Sequence, residues 1–347
     1  MRFGFWMPVF GGWLRNVEDE GMPATFEYQR ELALRAEAIG WDLTLIAELN
    51  LNDIKGPEAD CLEAWTTAAA LAPLTKQLEL MTAVRPNFRL PALVAKETAT
   101  IDHISGGRFT LNVVSAWWEA ESLQYGGTWV AHDERYARTA EFLAVLKGMW
   151  TNDEFSLEGR YYTIRNARLA PKPVQRPWPV LYAGGESPAA KDLIARECDA
   201  YLMHGDPPER IAAKVGDMQS LRDANGLAPM VYGVAGYVVC RATETAAQRE
   251  IERITDVRQN AAGYANYEQW LANTQLEQRV SLEDYSVSNR GLKAGLTGTP
   301  EQIADRIRAF EQAGVDLLLL QFSPQLEEME RFAEEVMPLV TEPSAVQ

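Results

Sequence analysis

A short strand followed by two glycines and the start of a helix forms the first candidate site. The apolar run 180–183 is typical of a buried strand, and Gly184 and Gly185 follow it. Ser187 and Pro188 are residue types favoured at the N-cap and first position of a helix. Backbone N–H groups and the helix dipole attract anions at such a turn. The pattern therefore predicts a phosphate site, and an ordinary βα turn is the alternative.

A second set of candidates consists mainly of polar and aromatic residues at the ends of predicted strands. Few of them titrate, and they contain no Ser-His-Asp set, no convincing carboxylate pair and no lysine placed for a Schiff base. Binding groups without acid–base machinery indicate that a cofactor carries the chemistry, and a phosphate site beside an aromatic mouth suits FMN. Two alternatives stay open: Arg85 pairs with a carboxylate, and His204 is a core-edge histidine. The set is Trp6, Ile46, Ala47, Glu48, Asn50, Arg85, Asn87, Asn112, Ser115, Trp117, Trp118, Gly184, Gly185, His204, Tyr237 and Gln321.

Eight apolar strands that alternate with helices must position these residues. Such alternation predicts parallel βα units, and eight units predict an α/β fold, a closed (β/α)8 TIM barrel with function on the loops after the strands. We expect one domain over 1–347, a β-hairpin at 154–166, and a long polar segment at about 263–295 that acts as a lid after strand 7. The predicted strands are 3–8, 42–46, 78–84, 109–114, 180–183, 200–203, 231–240 and 315–321. The predicted helices are 24–39, 62–74, 93–104, 136–150, one from 188 through 194, 207–225, one from about 243, 299–313 and 326–336.

Composition excludes several classes of function. The chain has 347 residues and a formal charge of −16, which argues against binding to nucleic acid or to anionic membranes. No apolar run approaches the length of a membrane span, and the N-terminus reads as a strand and not as a signal peptide. Three widely spaced cysteines fit a reducing cytoplasm, and three histidines without ligand spacing predict no metal site.

Several short motifs together resemble the bacterial luciferase-like flavin monooxygenases, and within them the alkanesulfonate and dimethylsulfone monooxygenase group. Each motif is weak alone, and together they cover nearly the whole chain. The motifs are Cys61-Leu-Glu-Ala-Trp65, Ala83-Val-Arg-Pro86, the helix 95–102 with Ser105-Gly-Gly-Arg108, Asn112-Val-Val-Ser115, His132-Asp-Glu-Arg-Tyr136, Tyr182-Ala-Gly-Gly185, Gly205-Asp-Pro-Pro208, Thr297-Gly-Thr-Pro300 and Leu326-Glu-Glu328.

The resemblance implies a barrel that uses reduced FMN, supplied by a separate NAD(P)H-dependent reductase, with O2 as co-substrate. It also implies a homodimer or a dimer of dimers. Ile46 and Ala47, at the end of the second strand, join the cofactor set that follows from the resemblance. The expected FMN-binding residues are Ile46, Ala47, Asn112, Ser115, Glu121, Arg135, Tyr136, Gly184, Gly185, Glu186 and Ser187.

For the substrate, the resemblance favours an organosulfonate, an alkanesulfonate or a sulfosugar, cleaved at its C–S bond to sulfite and an aldehyde. Arg290, His204 and Tyr237 are the expected catalytic residues. Residues expected to bind substrate are Trp6, Cys61, Arg85, Trp117, Ser323 and Gln325.

The pocket departs from the alkanesulfonate enzymes in places. Those enzymes have an arginine and a histidine on strand 7, where this chain has Ala235 and Tyr237. They also have a tyrosine and a histidine after strand 8, where this chain has Ser323 and Gln325. The alternatives are therefore a dialkylsulfone or non-sulfur substrate, a flavin or deazaflavin reductase, and a barrel that binds flavin without catalysis.

Overall fold

The computed structural model describes residues 1–257 and 262–341. Eight parallel strands follow one another around a closed barrel, and β1 pairs with both β2 and β8. Pairing of Phe3 with Leu318 and of Gly4 with Leu319 closes the ring. The predicted (β/α)8 barrel is therefore confirmed. The strands are β1 (Arg2–Trp6), β2 (Leu43–Ile46), β3 (Glu79–Val84), β4 (Phe109–Val113), β5 (Leu181–Gly184), β6 (Ala200–Met203), β7 (Val231–Tyr237) and β8 (Leu317–Gln321).

In the described residues, eight of the helices each follow one barrel strand and pack outside the barrel, and capping residues mark where several of them begin. The Ser187 hydroxyl accepts a hydrogen bond from the Ala190 N–H at 3.2 Å, with Pro188 next to the cap. Thr299 and Gln302 form a reciprocal capping box. The helices are α1 (Phe26–Ala38), α2 (Ala64–Leu71), α3 (Pro91–Ser105), α4 (His132–Thr151), α5 (Pro188–Glu197), α6 (Pro208–Ala224), α7 (Pro300–Gln312) and α8 (Gln325–Glu335).

Several predicted ends differ from the observed ones by a few residues, and two differences change the course of the chain. The predicted strand 231–240 ends at Tyr237, because Val239–Cys240 leaves the barrel and pairs with Thr297–Gly298. The predicted loop 115–135 contains the helix Glu119–Gln124, and α4 begins at His132. The predicted hairpin is confirmed, with Phe155–Glu158 antiparallel to Thr163–Ala167.

Between β7 and α7 the chain makes its longest excursion. A helix Glu244–Ile254 comes first, and the predicted lid, 263–295, follows. The lid is not an irregular loop, since it contains the helices Tyr267–Asn273 and Leu282–Tyr285 and the 3-10 turn Ser288–Ala294. Its aromatic residues Tyr267, Trp270 and Tyr285 pack together with Val280, which gives the lid a small apolar core of its own.

The main core lies between the strands and the surrounding helices, and a smaller one fills the barrel. Leu43, Leu45, Met81, Leu317 and Leu319 close the barrel interior with aliphatic side chains. The interior is therefore a packed floor, and open space begins where the strands end. Within the described ranges, every helix is too short or too polar to cross a membrane.

Candidate active site

A cavity of about 280 Å³ opens at the carboxyl ends of the barrel strands. Leu202 and Leu319, which also belong to the barrel interior, form part of its floor. Loops after the strands and the lid form its walls, as expected for this fold. Of the residues expected to bind FMN or substrate or to act in catalysis, thirteen line it: Trp6, Ala47, Arg85, Asn112, Ser115, Trp117, Arg135, Tyr136, Gly184, Gly185, Glu186, His204 and Arg290. Of the other strand-end candidates, Glu48 lines it, whereas Asn50, Asn87, Trp118 and Gln321 do not.

The glycine turn after β5 leaves no room for side chains. A Cβ on Gly184 would lie 2.8 Å from the Leu202 carbonyl oxygen. A Cβ on Gly185 would lie 2.6 Å from the Ala190 Cβ and 3.2 Å from the Tyr136 hydroxyl. Only glycines therefore let the backbone come this close to α5 and α4, where the N-terminus of α5 favours an anion.

Polar groups near this turn fit a phosphorylated ligand. The Arg135 guanidinium lies 4.5 Å from the Trp129 ring and donates to the carbonyl oxygens of Ala116 and Asn273. Its Nε and the Oδ1 of Asn112 are buried, and neither has a hydrogen-bond partner among the described residues. Buried groups without partners are costly, so a bound ligand that pairs with them would be stabilised.

Arg85 is held in the cavity wall by two carboxylates. Its Nη1 and Nη2 lie 2.5 and 2.7 Å from the two Glu121 carboxylate oxygens, and both side chains are at most 1% exposed. Its backbone N–H donates to Glu48, whose other oxygen accepts from Arg89. Burial raises the pKa of the Glu48 carboxyl, against the lowering effect of Arg89 and Arg85. The alternative in which Arg85 pairs with a carboxylate is the one observed.

Arg290 enters the site from the lid and pairs with Glu186. Lys214 of α6 lies 3.0 Å from the same carboxylate. Although burial opposes it, His204, Arg290 and Lys214 hold the pKa of Glu186 well below its usual range. Burial, together with the Arg290 charge, lowers the pKa of His204 to about 4, so its imidazole is neutral near pH 7.

Arg15 lines the cavity and was missed by the sequence reasoning. It forms a buried ion pair with Asp53 at 2.5 Å and stacks 3.8 Å from the centre of the Tyr285 ring. It also donates to the backbone carbonyls of Tyr285 and Gly263 in the lid. Its position in the loop after the first predicted strand was the available signal, but no motif marked it.

Seven residues of the expected FMN, substrate and catalytic sets do not line the cavity: Ile46, Cys61, Glu121, Ser187, Tyr237, Ser323 and Gln325. Ile46 is buried at the end of β2, Glu121 lies behind Arg85, and the Ser187 hydroxyl caps α5. Cys61 is half-buried outside the cavity, where burial and the nearby Glu121 and Asp60 raise the pKa of its thiol.

Contacts with neighbouring side chains and backbone keep Tyr237, Ser323 and Gln325 out of the cavity lining. Tyr237 is 1% exposed and is hydrogen bonded to Ser323, and a Cβ on Gly291 of the lid would come within 2.7 Å of it. Gln325 accepts from the Trp13 indole at 2.8 Å and donates to the Trp6 carbonyl at 3.3 Å. These side chains therefore support the wall from behind.

Comparison with known proteins places the chain in a family. Residues 1–317 match the luciferase-like monooxygenases. The chain is 37% identical to an FMNH2-dependent dimethylsulfone monooxygenase of Pseudomonas putida, across 99% of this chain and 96% of that protein. A second such enzyme, from Pseudomonas fluorescens, is also 37% identical, across 99% of this chain and 95% of that protein.

Solved structures have the same fold at low sequence identity. A long-chain alkane monooxygenase superposes with a TM-score of 0.83 at 18% identity, across 97% of this chain and 90% of that one. DmoA from Hyphomicrobium sulfonivorans gives 0.78 at 20% identity, across 97% of this chain and 86% of that one. On the evidence of its sequence matches, this chain is a member of the luciferase-like monooxygenase family.

Proposed function

We propose that this chain is an FMNH2-dependent monooxygenase that cleaves the C–S bond of a small, uncharged sulfone. The relatives named as dimethylsulfone monooxygenases support the reaction class. The charge balance of the cavity carries the choice of substrate. An organosulfonate, the substrate favoured by the sequence, is the second candidate.

The cavity has little cationic charge left for an anionic substrate. Among the described residues four arginines line it, and three of them are ion-paired: Arg15 with Asp53, Arg85 with Glu121 and Arg290 with Glu186. A sulfonate that displaced one of these carboxylates would leave a buried, unpaired acid, which is strongly unfavourable. A neutral sulfone needs only hydrogen-bond donors and apolar walls.

The fourth arginine supports cofactor binding. Within the described part of the chain, the hydrogen bonds of the Arg135 side chain go to backbone carbonyls, and Arg135 stands beside Tyr136, whose hydroxyl approaches Gly185. In our proposal the glycine turn and Arg135 hold the FMN phosphate through charge-assisted hydrogen bonds. Bound reduced FMN would supply the electrons that activate O2.

The remaining residues shape the chamber around the reacting groups. Trp6, Phe10, Trp13 and Trp117 provide aromatic walls, and the lid covers the mouth with Arg290. Closing such a site excludes water and strengthens the electrostatic interactions inside it. In this proposal His204 is a neutral wall residue, whose lowered pKa prevents it from acting as a cation near pH 7.

The homodimer or dimer of dimers, the NAD(P)H-dependent reductase and the cytoplasmic location belong to the same proposal. An apolar surface around α3 supports self-association, because Leu90, Leu93 and Ile104 are 63%, 58% and 46% exposed. Light scattering of the purified chain should give at least twice the monomer mass. A monomer at micromolar concentration would contradict this part of the proposal.

Oxygen uptake and product analysis test the reaction. The protein receives reduced FMN, O2 and either dimethylsulfone, a longer dialkylsulfone, an alkanesulfonate or a sulfosugar. We expect sulfone-dependent formation of an aldehyde and a sulfinate. Sulfite from a sulfonate would instead support the second candidate, and substrate reduction without oxygen consumption would indicate a reductase.

A further inference from the structure

Glu186 connects the glycine turn after β5 with the lid and α6, which come from other parts of the chain. Its backbone belongs to the glycine turn after β5, whereas its carboxylate faces the lid and α6. That carboxylate contacts both terminal (Nη) nitrogens of Arg290, and Lys214 Nζ lies 3.0 Å away. It also accepts a hydrogen bond from the Glu277 N–H of the lid at 3.2 Å. The side chain is buried, so these protein groups replace water around it.

The lid backbone at Arg290 is fixed in an uncommon conformation. Asn289 and Arg290 have φ values of 56° and 54°, in the left-handed region that residues with side chains rarely adopt. The Arg290 carbonyl would lie 2.6 Å from a Cβ on Gly205, so the lid touches the loop after β6 closely. A conformation of this kind persists only where surrounding contacts hold it, and the buried Glu186 ion pair is one of them.

The charges around Glu186 form one connected cluster. Lys214 also contacts Asp206 at 2.6 Å and Glu277 at 3.7 Å, and Arg210 lies 3.3 Å from Glu277. The cluster thus ties α6 and the turn after β5 to the lid at two places, Glu277 and Arg290. Glu186 is the residue of this cluster that comes from the turn itself.

We propose, resting on the function proposed above, that Glu186 is a positioning residue through which the turn that receives the FMN phosphate also holds the lid closed by way of Arg290. The backbone of the turn binds the phosphate, and the carboxylate keeps the Arg290 guanidinium and the lid in place. The carboxylate lies beside the proposed phosphate site and carries a charge of the same sign. It therefore does not attract the phosphate.

This arrangement predicts that the variant Glu186→Gln affects lid exchange and the KM for the sulfone but does not weaken FMN binding. Removing the carboxylate frees the lid, so hydrogen exchange of lid amides at 276–291 should become about tenfold faster in the flavin-free protein. The KM for the sulfone should rise by about fivefold or more, because the chamber closes less often. The Kd for FMN should stay the same or fall, since a like charge beside the phosphate has been removed. A residue that served only the fold would weaken both ligands.

Two further variants keep the test decisive. Glu186→Asp retains the charge but shortens the reach, so it should fold normally and still speed exchange of the lid. Arg290→Gln should reproduce the effect on the lid, and adding Glu186→Gln to it should change lid exchange and KM little further. The control is Glu209→Gln, an exposed acid on α6, which should leave exchange, KM and FMN binding at wild-type values.

The outcomes separate this proposal from the proposed function. Unchanged lid exchange in both Glu186 variants would overturn it, as would effects of Glu186→Gln and Arg290→Gln that simply add. A rise in the FMN Kd parallel to the rise in KM would also overturn it. Lid exchange is measured without cofactor or substrate, so it decides the role of Glu186 even if the chain oxidises no sulfone.

Discussion

Replacing Glu121 with glutamine should destabilise the protein without any direct effect on substrate. Glu121 is fully buried, and both of its oxygens bind the Arg85 guanidinium, at 2.5 and 2.7 Å. The amide that replaces it is neutral. Arg85 is then left as a buried cation, and its nearest remaining acid, Glu48, is 3.9 Å from Arg85 Nε and already engaged by Arg89.

The size of the effect follows from this geometry. Breaking a buried ion pair by removing one partner costs about 3–5 kcal/mol. An unfolding entropy of about 2.1 cal/mol/K per residue gives about 0.7 kcal/mol/K for 347 residues. The melting temperature should therefore fall by about 4–7 °C.

Calorimetry or denaturant unfolding measures the loss. The matched control is Glu134→Gln, whose partner Arg160 is 70% exposed, so its loss should cost under about 1 kcal/mol. The double variant Arg85→Met with Glu121→Leu should recover much of the stability, because no unpaired charge then remains.

Melting temperatures and activity data can each refute this reasoning. Should Glu121→Gln melt within 1 °C of the wild type, the pair would not hold the wall as we infer. A stable Arg85→Met variant that loses turnover only with a sulfonate would show instead that Arg85 binds substrate, and the uncharged-sulfone proposal would fail.

Three further predictions concern the cofactor site and pH. Arg135→Leu should raise the Kd for FMN by about 10–100-fold in a flavin titration and leave riboflavin binding nearly unchanged, because riboflavin lacks the phosphate; equal losses for both ligands would contradict a phosphate contact. Gly185→Val should abolish FMN binding, since a Cβ there meets Ala190 at 2.6 Å. The control Gly216→Ala, in open space on α6, should bind FMN normally. FMN binding retained by the valine variant would exclude the glycine turn as the phosphate site. The unfolded chain protonates His204 near pH 6.5 and the folded chain near pH 4, so its contribution to stability is complete above about pH 6.5 and is lost as pH falls toward 4. The wild type should lose about 1–3 kcal/mol through this window, and a His204→Gln variant with an equally steep pH dependence would contradict the assignment.

The barrel was predictable because its signals are local. Each strand is a short apolar run, and Ser187, Pro188 and Thr299 mark helix starts within a few residues of sequence. The lid was only partly predictable. Its helices are short, and they are stabilised by contacts among Tyr267, Trp270 and Tyr285 that no local periodicity reveals.

The partners of the charged residues were the least predictable part of the site. Arg85 and Glu121 are 36 residues apart, and Arg290 and Glu186 are 104 apart. Arg85 was expected at a strand end, and the resemblance placed Glu121, Glu186 and Arg290 in the same site, but which side chains pair depends on loop paths. Tyr237 shows the same limit, since the backbone at Gly291 covers it at the end of β7.

In the proposed function the lid moves, and Arg15 lies at the boundary between the lid and the rest of the site. Its ion pair with Asp53 keeps it on the barrel side, while its bonds to the Tyr285 and Gly263 carbonyls and its stacking on Tyr285 connect it to the lid. Opening of the lid, as proposed, would break these contacts together, so we expect it to have a large activation enthalpy. Where product departure limits turnover, the rate should then show one steep temperature coefficient that is the same for every substrate the chamber accepts.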